Sequence, residues 1–216
     1  LHGLGVGGAE VLAARLARQL ADRFRFAFVC LDEMGTLGEQ LRDEGFPVHV
    51  LSRRAGVDLK CTWLLAKLLR RERVDIIHAH QYTPFFYSIT ARQFYRKPPV
   101  LFTEHGRWFP DYPRRKRIIA NRVLLSKRDR VVGVGENVRQ ALIDNEGILP
   151  ERVTVIYNGI DLSPYSNTLN ESGSHLRNGS EAVPYHSIPS SKPAGWASPT
   201  AQNSAQINNA PGDDSV

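Results

Sequence analysis

The stretch Gly3-Leu4-Gly5-Val6-Gly7-Gly8-Ala9-Glu10 fits the spacing G-x-G-x-x-G at Gly3, Gly5 and Gly8 and runs directly into a helix-forming segment. Glycines let backbone N–H groups come close to a ligand, and a helix N-terminus carries partial positive charge. A phosphate or a sugar hydroxyl is therefore a natural neighbour of such a turn. A dinucleotide site also needs an acid about 20 residues further on, and Asp32-Glu33 stand near that position, at the end of the next strand-like run. On this motif alone an NAD(P)-binding oxidoreductase stays open. So does a purely structural role, in which the glycines only allow a tight strand-to-helix turn. What separates these lies downstream.

Outward from the turn, strand-like and helix-like blocks alternate. Phe26–Leu31, Val48–Leu51, Ile76–Ala79, Val100–Thr103, Val131–Val134 and Val153–Tyr157 are apolar runs without polar alternation, as expected of strands covered by helices on both faces. Between them, Ala9–Arg23 places Leu12, Leu16 and Leu20 one turn apart on one stripe, and Leu59–Arg71 carries Leu64, Leu65, Leu68 and Leu69 with Asp58 placed to cap its start. Val138–Asn145 is a shorter helix. The alternation predicts an α/β fold, a Rossmann-like doubly wound parallel sheet. Only Leu1-His2 precede the glycine turn, so the first strand, central in such a sheet, is expected to be largely missing, at a cost in stability and with unpaired edges.

The 216 residues suffice for one good-sized core. A net charge of +6 favours anionic partners: nucleotide sugars, anionic lipids or nucleic acid. Cys30 and Cys61 lack metal-ligand spacing and read as reduced core thiols of a cytoplasmic protein. The chain does not begin with Met, carries no leader, and has no run of membrane-spanning length, which suggests a missing N-terminus. Composition changes near Ser163, beyond which Ser, Asn, Pro, Gly and Ala dominate. The expected organisation is a folded domain over residues 1–162 and a disordered polar tail over 163–216. The sequons at Asn170 and Asn178 read as chance matches, and a read-through or frameshifted end is an alternative origin of the tail.

Further motifs fall at the expected carboxyl ends of strands, where open α/β sheets bind ligands. These are Asp75-Ile76-Ile77-His78-Ala79-His80, Thr103-Glu104-His105-Gly106 and Asn158-Gly159-Ile160-Asp161. Together with Gly7-Gly8-Ala9-Glu10 and the junction Val132-Gly133-Val134-Gly135-Glu136-Asn137-Val138, they resemble glycosyltransferase family 4 from Leu1 to about Asp161. Each is moderately specific, and their order makes the set strong. The resemblance implies the N-terminal, acceptor-side half of a GT-B fold and a retaining transfer from a nucleotide-sugar donor, with no cofactor and no catalytic metal. It implies that Gly7 and Gly8 face the donor phosphate and acceptor, with Glu10, Asn137, Asn158, Gly159 and Asp161 in the same donor- and acceptor-binding set. His80 and His105 are the candidate catalytic histidines, His105 nearest the transferred sugar. Acceptors would be sugars or lipid-linked sugars.

Each residue also has a plainer role open to it. His78 reads as a satisfied structural histidine. His80 and His105 could hydrogen-bond a sugar hydroxyl or assist proton transfer, though neither is assigned as a general base. Alternate strand positions without a third ligand make a poor metal site. Two positions depart from the family pattern: Gly135 where Ser is frequent, and Tyr157 where Pro is common.

Arg107-Trp108-Phe109-Pro110-Asp111-Tyr112-Pro113 leads into Arg114-Arg115-Lys116-Arg117 and then Ile118, Ile119, Val123, Leu124 and Leu125. If helical from about Pro113, this is either a solvated helix packed on the sheet or a surface for anionic lipid, with Trp108 and the cations Arg114, Arg115, Lys116 and Arg117 facing the membrane. The second case would place the protein peripherally at the inner face of the membrane. No recognition motif supports nucleic-acid binding. The resemblance also implies a second domain carrying the donor-phosphate contacts, so the 216 residues alone are expected to transfer no sugar. The competing classes are an NAD(P)-dependent oxidoreductase and a non-catalytic nucleotide-binding module.

Overall fold

Strands and helices alternate through the described residues, in the order α1 (Gly8–Gln19), β1 (Phe28–Cys30), α2 (Gly35–Asp43), β2 (Val48–Val50), α3 (Leu59–Arg71), β3 (Ile77–His80), α4 (Tyr82–Ala91), β4 (Val100–Glu104), α5 (Arg115–Leu124), β5 (Arg130–Gly133), α6 (Glu136–Glu146) and β6 (Val153–Val155). The structure, a computed structural model, describes residues 1–106 and 111–159. These belong to one compact unit, Leu1–Ile160. The expected polar tail, Trp108 and Asp161 lie outside the described residues.

All strand pairs are parallel, as the unbroken apolar runs require: β1 with β2, and β3-β4-β5-β6 in that order. The start of the chain lines β1. Leu31 and Asp32 donate their N–H groups to the carbonyls of Leu1 (3.1 Å) and His2 (2.8 Å), and Gly3 forms a parallel bridge to Glu33. These contacts lay residues 1–3 beside β1. They cover part of the β1 edge, while β3 bonds to β4 and ends its own sheet.

Side chains alternate along a strand, so each strand contributes to two layers. Ala79, Val100, Phe102, Val131 and Val153 form one core with Tyr82, Phe85 and Ile89 of α4 and Leu142 of α6. Phe85 stacks on Phe102 with ring centroids 4.3 Å apart. Leu4, α1, α2, β1 and β2 enclose a second core. The two sheets are joined through a third, in which Leu31 and Ile77 pack with Cys61, Leu65 and Leu69 of α3 and Tyr87 and Ala91 of α4. Cys30 and Cys61 are both free and buried, and burial pushes each thiol up to about 11.

Local chemistry sets the helix ends. Asp58 caps α3 by accepting from the N–H of Cys61 at 3.1 Å. α6 stops at Gly147, whose φ of 64° is the left-handed conformation that favours glycine. Gly35 (φ 69°) opens α2 where a Cβ would stand only 2.5 Å from the backbone of Leu4 and Gly5, so both its conformation and its close approach require glycine.

Candidate functional site

The strand register aligns the motif-bearing ends. His80 pairs with Thr103, Glu104 with Gly133, and Gly133 with Val155, which brings the ends of β3, β4, β5 and β6 to one edge. Ala79 faces the α4 core, so His78 and His80 point to the opposite face of the sheet. There they form a ladder with His105: ring centroids of His78 and His80 are 4.1 Å apart, and those of His80 and His105 are 5.1 Å apart and stacked. Nδ1 of His80 lies 2.8 Å from Nε2 of His105, a hydrogen bond between the two rings. Nε2 of His78 is bonded to Oγ1 of Thr103 at 2.9 Å. His78 thus has the hydrogen-bonded partner expected of a structural histidine.

This cluster is held uncharged. His80 is only 3% exposed, and burial, followed by the neighbouring His78, pushes its pKa down to about 2. His78 keeps solvent access at the sheet edge, yet the protein packed around it and the nearby His105 push it down to about 4. Burial also lowers His105, against the opposing pull of the Glu10 carboxylate. At neutral pH the ladder is neutral imidazole, able to give or take hydrogen bonds but carrying no positive charge. Nδ1 of His105 is buried and makes no hydrogen bond among the described residues.

Glu10 ties the glycine turn to this cluster. Gly7 is the extended N-cap residue of α1, and Gly8 opens the helix with no side-chain cap. The Glu10 carboxylate folds back so closely that a Cβ on residue 7 would collide with its Oε2. Only glycine at position 7 leaves the carboxylate in that place. At the far side of the same edge, Asn137 is exposed in the first turn of α6, and Asn158 and Gly159 are exposed beyond β6. The two departures from the family pattern are neighbours: the Tyr157 ring approaches within 4.0 Å of where a Cβ of residue 135 would stand.

Asp32, the acid that kept a nicotinamide site open, is occupied. Its oxygens accept from Nε (2.9 Å) and Nη2 (3.1 Å) of Arg53, and Nδ1 of His2 is 3.2 Å away. Burial pushes its pKa up, but the bonds from Arg53 and then His2 outweigh this and leave it below the usual carboxylate range. A carboxylate already gripped by a guanidinium fork is a poor acceptor for ribose hydroxyls. Among the described residues, no group of three or more His, Cys, Asp or Glu side chains is placed to hold a metal ion.

The basic segment is helical from Arg115. Arg114, Arg115 and Lys116 are exposed, as are Tyr112, Ile119 and Val123. Arg117 corrects the expectation of a uniform cationic face. Its guanidinium sits 4.0 Å from the Tyr82 ring centroid and donates to Oε1 of Glu146 at 2.9 Å. It is turned inward because a buried carboxylate there needs a cation.

The sequence did not mark out Gln81, and it marked Thr103 only as the first residue of a strand-end motif. Gln81 follows His80 with φ 69° and ψ 163°, a conformation nearly confined to glycine, while its N–H donates to the Thr103 carbonyl at 2.9 Å. A glutamine after an apolar run carries no signal of such a turn.

With strand ends, histidine ladder and glycine turn at one edge, comparison with known proteins is decisive. The family model for Glycosyltransferase Family 4 matches residues 6–164. The chain belongs to glycosyltransferase family 4. A similar curated protein is the UDP-Gal:alpha-D-GlcNAc-diphosphoundecaprenol alpha-1,3-galactosyltransferase of Escherichia coli, 26% identical over 158 residues that cover 69% of this chain and 41% of that one. Among solved structures, a glycosyltransferase from Rickettsia africae ESF-5 superposes with a TM-score of 0.59 at 21% identity, covering 80% of this chain and 47% of that one. Anabaena Alr3699/HepE in complex with UDP does so with a TM-score of 0.58 at 20% identity, covering 77% and 47%. These likenesses establish the fold, one Rossmann-like lobe of the GT-B architecture. The chain spans less than half the length of each of these relatives.

Proposed function

We propose that this family 4 domain forms the acceptor side of a retaining transferase that moves a glycosyl group from a nucleotide sugar to a lipid-linked sugar. The observation that carries the proposal is the neutral His80–His105 pair at a strand-end edge, within the electrostatic reach of Glu10 from the glycine turn. A bonded pair of uncharged imidazoles suits recognition of sugar hydroxyls and does not repel a proton-bearing acceptor. The glycine turn, with its uncapped helix N-terminus, suits an anionic group. The names of two relatives support the substrate classes: a UDP-sugar and a diphosphoundecaprenol acceptor for one, bound UDP for the other.

In this proposal Gly7, Gly8, Glu10, Asn137, Asn158, Gly159 and Asp161 line the donor and acceptor space, and His105 sits closest to the transferred sugar. Residues 1–162 make the lobe, which the compact unit Leu1–Ile160 supports, and residues 163–216 a polar tail. The enzyme works without a cofactor on the cytoplasmic side, peripherally at the inner face of the membrane. Among the described residues no helix is long and apolar enough to cross a membrane. The 216 residues alone transfer no sugar, because stabilising a leaving diphosphate needs groups that neutralise it, and the contacts at this edge come from neutral imidazoles and backbone.

Calorimetric titration of the chain with a short-chain prenyl-diphosphate-linked N-acetylhexosamine and, separately, with NADH tests the assignment. Binding of the sugar lipid that weakens at least tenfold in His105→Ala, with no NADH binding, is expected. NADH binding lost in Asp32→Asn would establish the oxidoreductase class instead, and robust sugar turnover by the chain alone would overturn its proposed inactivity.

A further inference from the structure

His80 and His105 share one hydrogen bond, and that bond fixes more than their distance. Each neutral imidazole carries a single N–H. The pair therefore holds two protons, one of which lies between Nδ1 of His80 and Nε2 of His105. The other has two places open to it: the far nitrogen of His80, or Nδ1 of His105. His80 is 3% exposed, and among the described residues no carboxylate acts on it. His105 is half-buried, and the charge that acts on it is the Glu10 carboxylate. A proton is better placed in the field of an anion than where none acts. His105 also spends Nε2 on His80, so Nδ1 is its one uncommitted ring nitrogen, buried and without a hydrogen-bond partner among the described residues.

We infer that His80 is a positioning residue: its Nδ1–H donates to Nε2 of His105, holding His105 as the Nδ1–H tautomer and presenting that N–H as the donor a sugar or phosphate oxygen accepts. This rests on the reading of the edge as a transferase site and assigns the two histidines different tasks within it. His105 touches the ligand, and His80 acts only through His105.

The backbone shows how the arrangement is held. Gln81 adopts its φ of 69° directly after His80, and its N–H bond to the Thr103 carbonyl ties the β3 end to β4 beside His105. His78, bonded to Oγ1 of Thr103, packs against the other side of the His80 ring. The His80 imidazole is thus walled by His78 and His105 and anchored at its backbone. Strain of the Gln81 type persists where surrounding structure over-determines it, and such sites cluster where a side chain must be aimed.

The test reads protons directly. The chain is labelled with 15N-histidine, and long-range 1H–15N correlation at pH 7.5 assigns the tautomer of His105, whose signals are identified by their loss in His105→Asn. The expected result is a protonated Nδ1 and a lone-pair Nε2. In His80→Phe, His105 should revert to the Nε2–H form that a free histidine prefers. In His80→Asn, whose amide can donate from nearly the same place, the Nδ1–H form should return. A proton on Nε2 in the wild-type chain overturns the assignment, and so does an unchanged tautomer in a folded His80→Phe variant. Should that variant not fold, the wild-type spectrum decides alone. No donor or acceptor enters the measurement. The expected tautomer in a chain that binds no sugar lipid would leave His80's task standing and remove the transferase substrate, and the reverse pair of results would do the opposite.

Discussion

Arg92 and Asp129 face each other as a buried two-pronged ion pair at the amino-terminal end of β4 and β5, with Nη2 of Arg92 2.7 Å from Oδ2 of Asp129. Asp129 also accepts the N–H groups of Val100 (2.9 Å) and Ser126 (2.7 Å), and Arg92 donates to the carbonyls of Pro98 and Leu124. Burial opposes the charge on Asp129, but the Arg92 hydrogen bonds and these backbone N–H groups leave its pKa below the usual range. The pair fastens the floor of the sheet at the end opposite the histidines. Removing one partner leaves the other charge buried, so Asp129→Ala should lose about 3–5 kcal/mol of stability. The double change Arg92→Met with Asp129→Leu should lose markedly less, because neither charge remains. Urea unfolding followed by far-UV circular dichroism compares the two; equal losses would refute this account of the pair.

The histidine ladder makes stability pH-dependent in a definite direction. The unfolded chain takes up protons on His78 and His80 near pH 6.5, whereas the folded chain resists until about 4 and about 2. Below pH 6.5 the unfolded state therefore binds more protons, and stability falls as pH falls. The buried His80 contributes a slope of about 1.4 kcal/mol per pH unit, and the exposed His78 a smaller one because solvent screens its charge. The contribution of His78 flattens near pH 4, whereas that of His80 continues below it. Asp129 adds its own loss only at lower pH, as the carboxylate protonates. The urea midpoint should thus drop steadily from pH 6.5 to pH 4, and His78→Gln should reduce the steepness in that window. A midpoint flat across it would show that the ladder titrates in the folded chain.

How far the sequence foretold this molecule depended on which residues face one layer. Leu59–Arg71 and its Asp58 cap were legible because α3 buries a single stripe, which leaves a period and a cap signal. α4 was not, because Tyr82, Phe85, Tyr87 and Ile89 bury several sides of the helix and erase the polar face, with Pro84 falling in its first turn, where proline is tolerated. α2 hid behind Gly35 and Gly38, which lower helix propensity but are needed where Leu4 packs closely. His80 and His105 were visible as strand-end histidines, but their mutual hydrogen bond depends on the β3–β4 register, which no local pattern encodes. Arg117 read as one cation among four, and only the buried Glu146, far off in sequence, sets it apart.

Gln81 offers a direct measure of backbone strain at the site. A non-glycine residue at φ 69° and ψ 163° costs of the order of 1–3 kcal/mol. Glycine adopts that conformation freely but gives up about 0.5–1 kcal/mol to the greater freedom of the unfolded chain. Gln81→Gly should therefore raise thermal stability slightly, whereas glycine at an ordinary buried position lowers it. Differential scanning calorimetry gives the sign. A loss of more than about 1 kcal/mol would mean that the Gln81 side chain supplies binding energy that outweighs the strain.

The exposed surface of α5 separates a lipid-facing role from a packing one. Tyr112, Ile119 and Val123 are 65%, 63% and 74% exposed, and Arg115, Lys116 and Arg122 stand among them, the arrangement of an interfacial helix. Each cation near an anionic surface is worth about 1 kcal/mol, so Arg115→Glu with Lys116→Glu should weaken binding to vesicles rich in anionic phospholipid by tenfold or more and leave unfolding unchanged. Arg117→Met should do the reverse. It removes the bond to Glu146 and the contact with the Tyr82 ring, costing about 1–3 kcal/mol of stability, while vesicle binding of the folded protein stays within twofold. Sedimentation with vesicles, paired with urea unfolding of the same variants, reads both quantities. If the two variants behave alike on vesicles, α5 is not the membrane contact, and its apolar residues must be covered by protein instead.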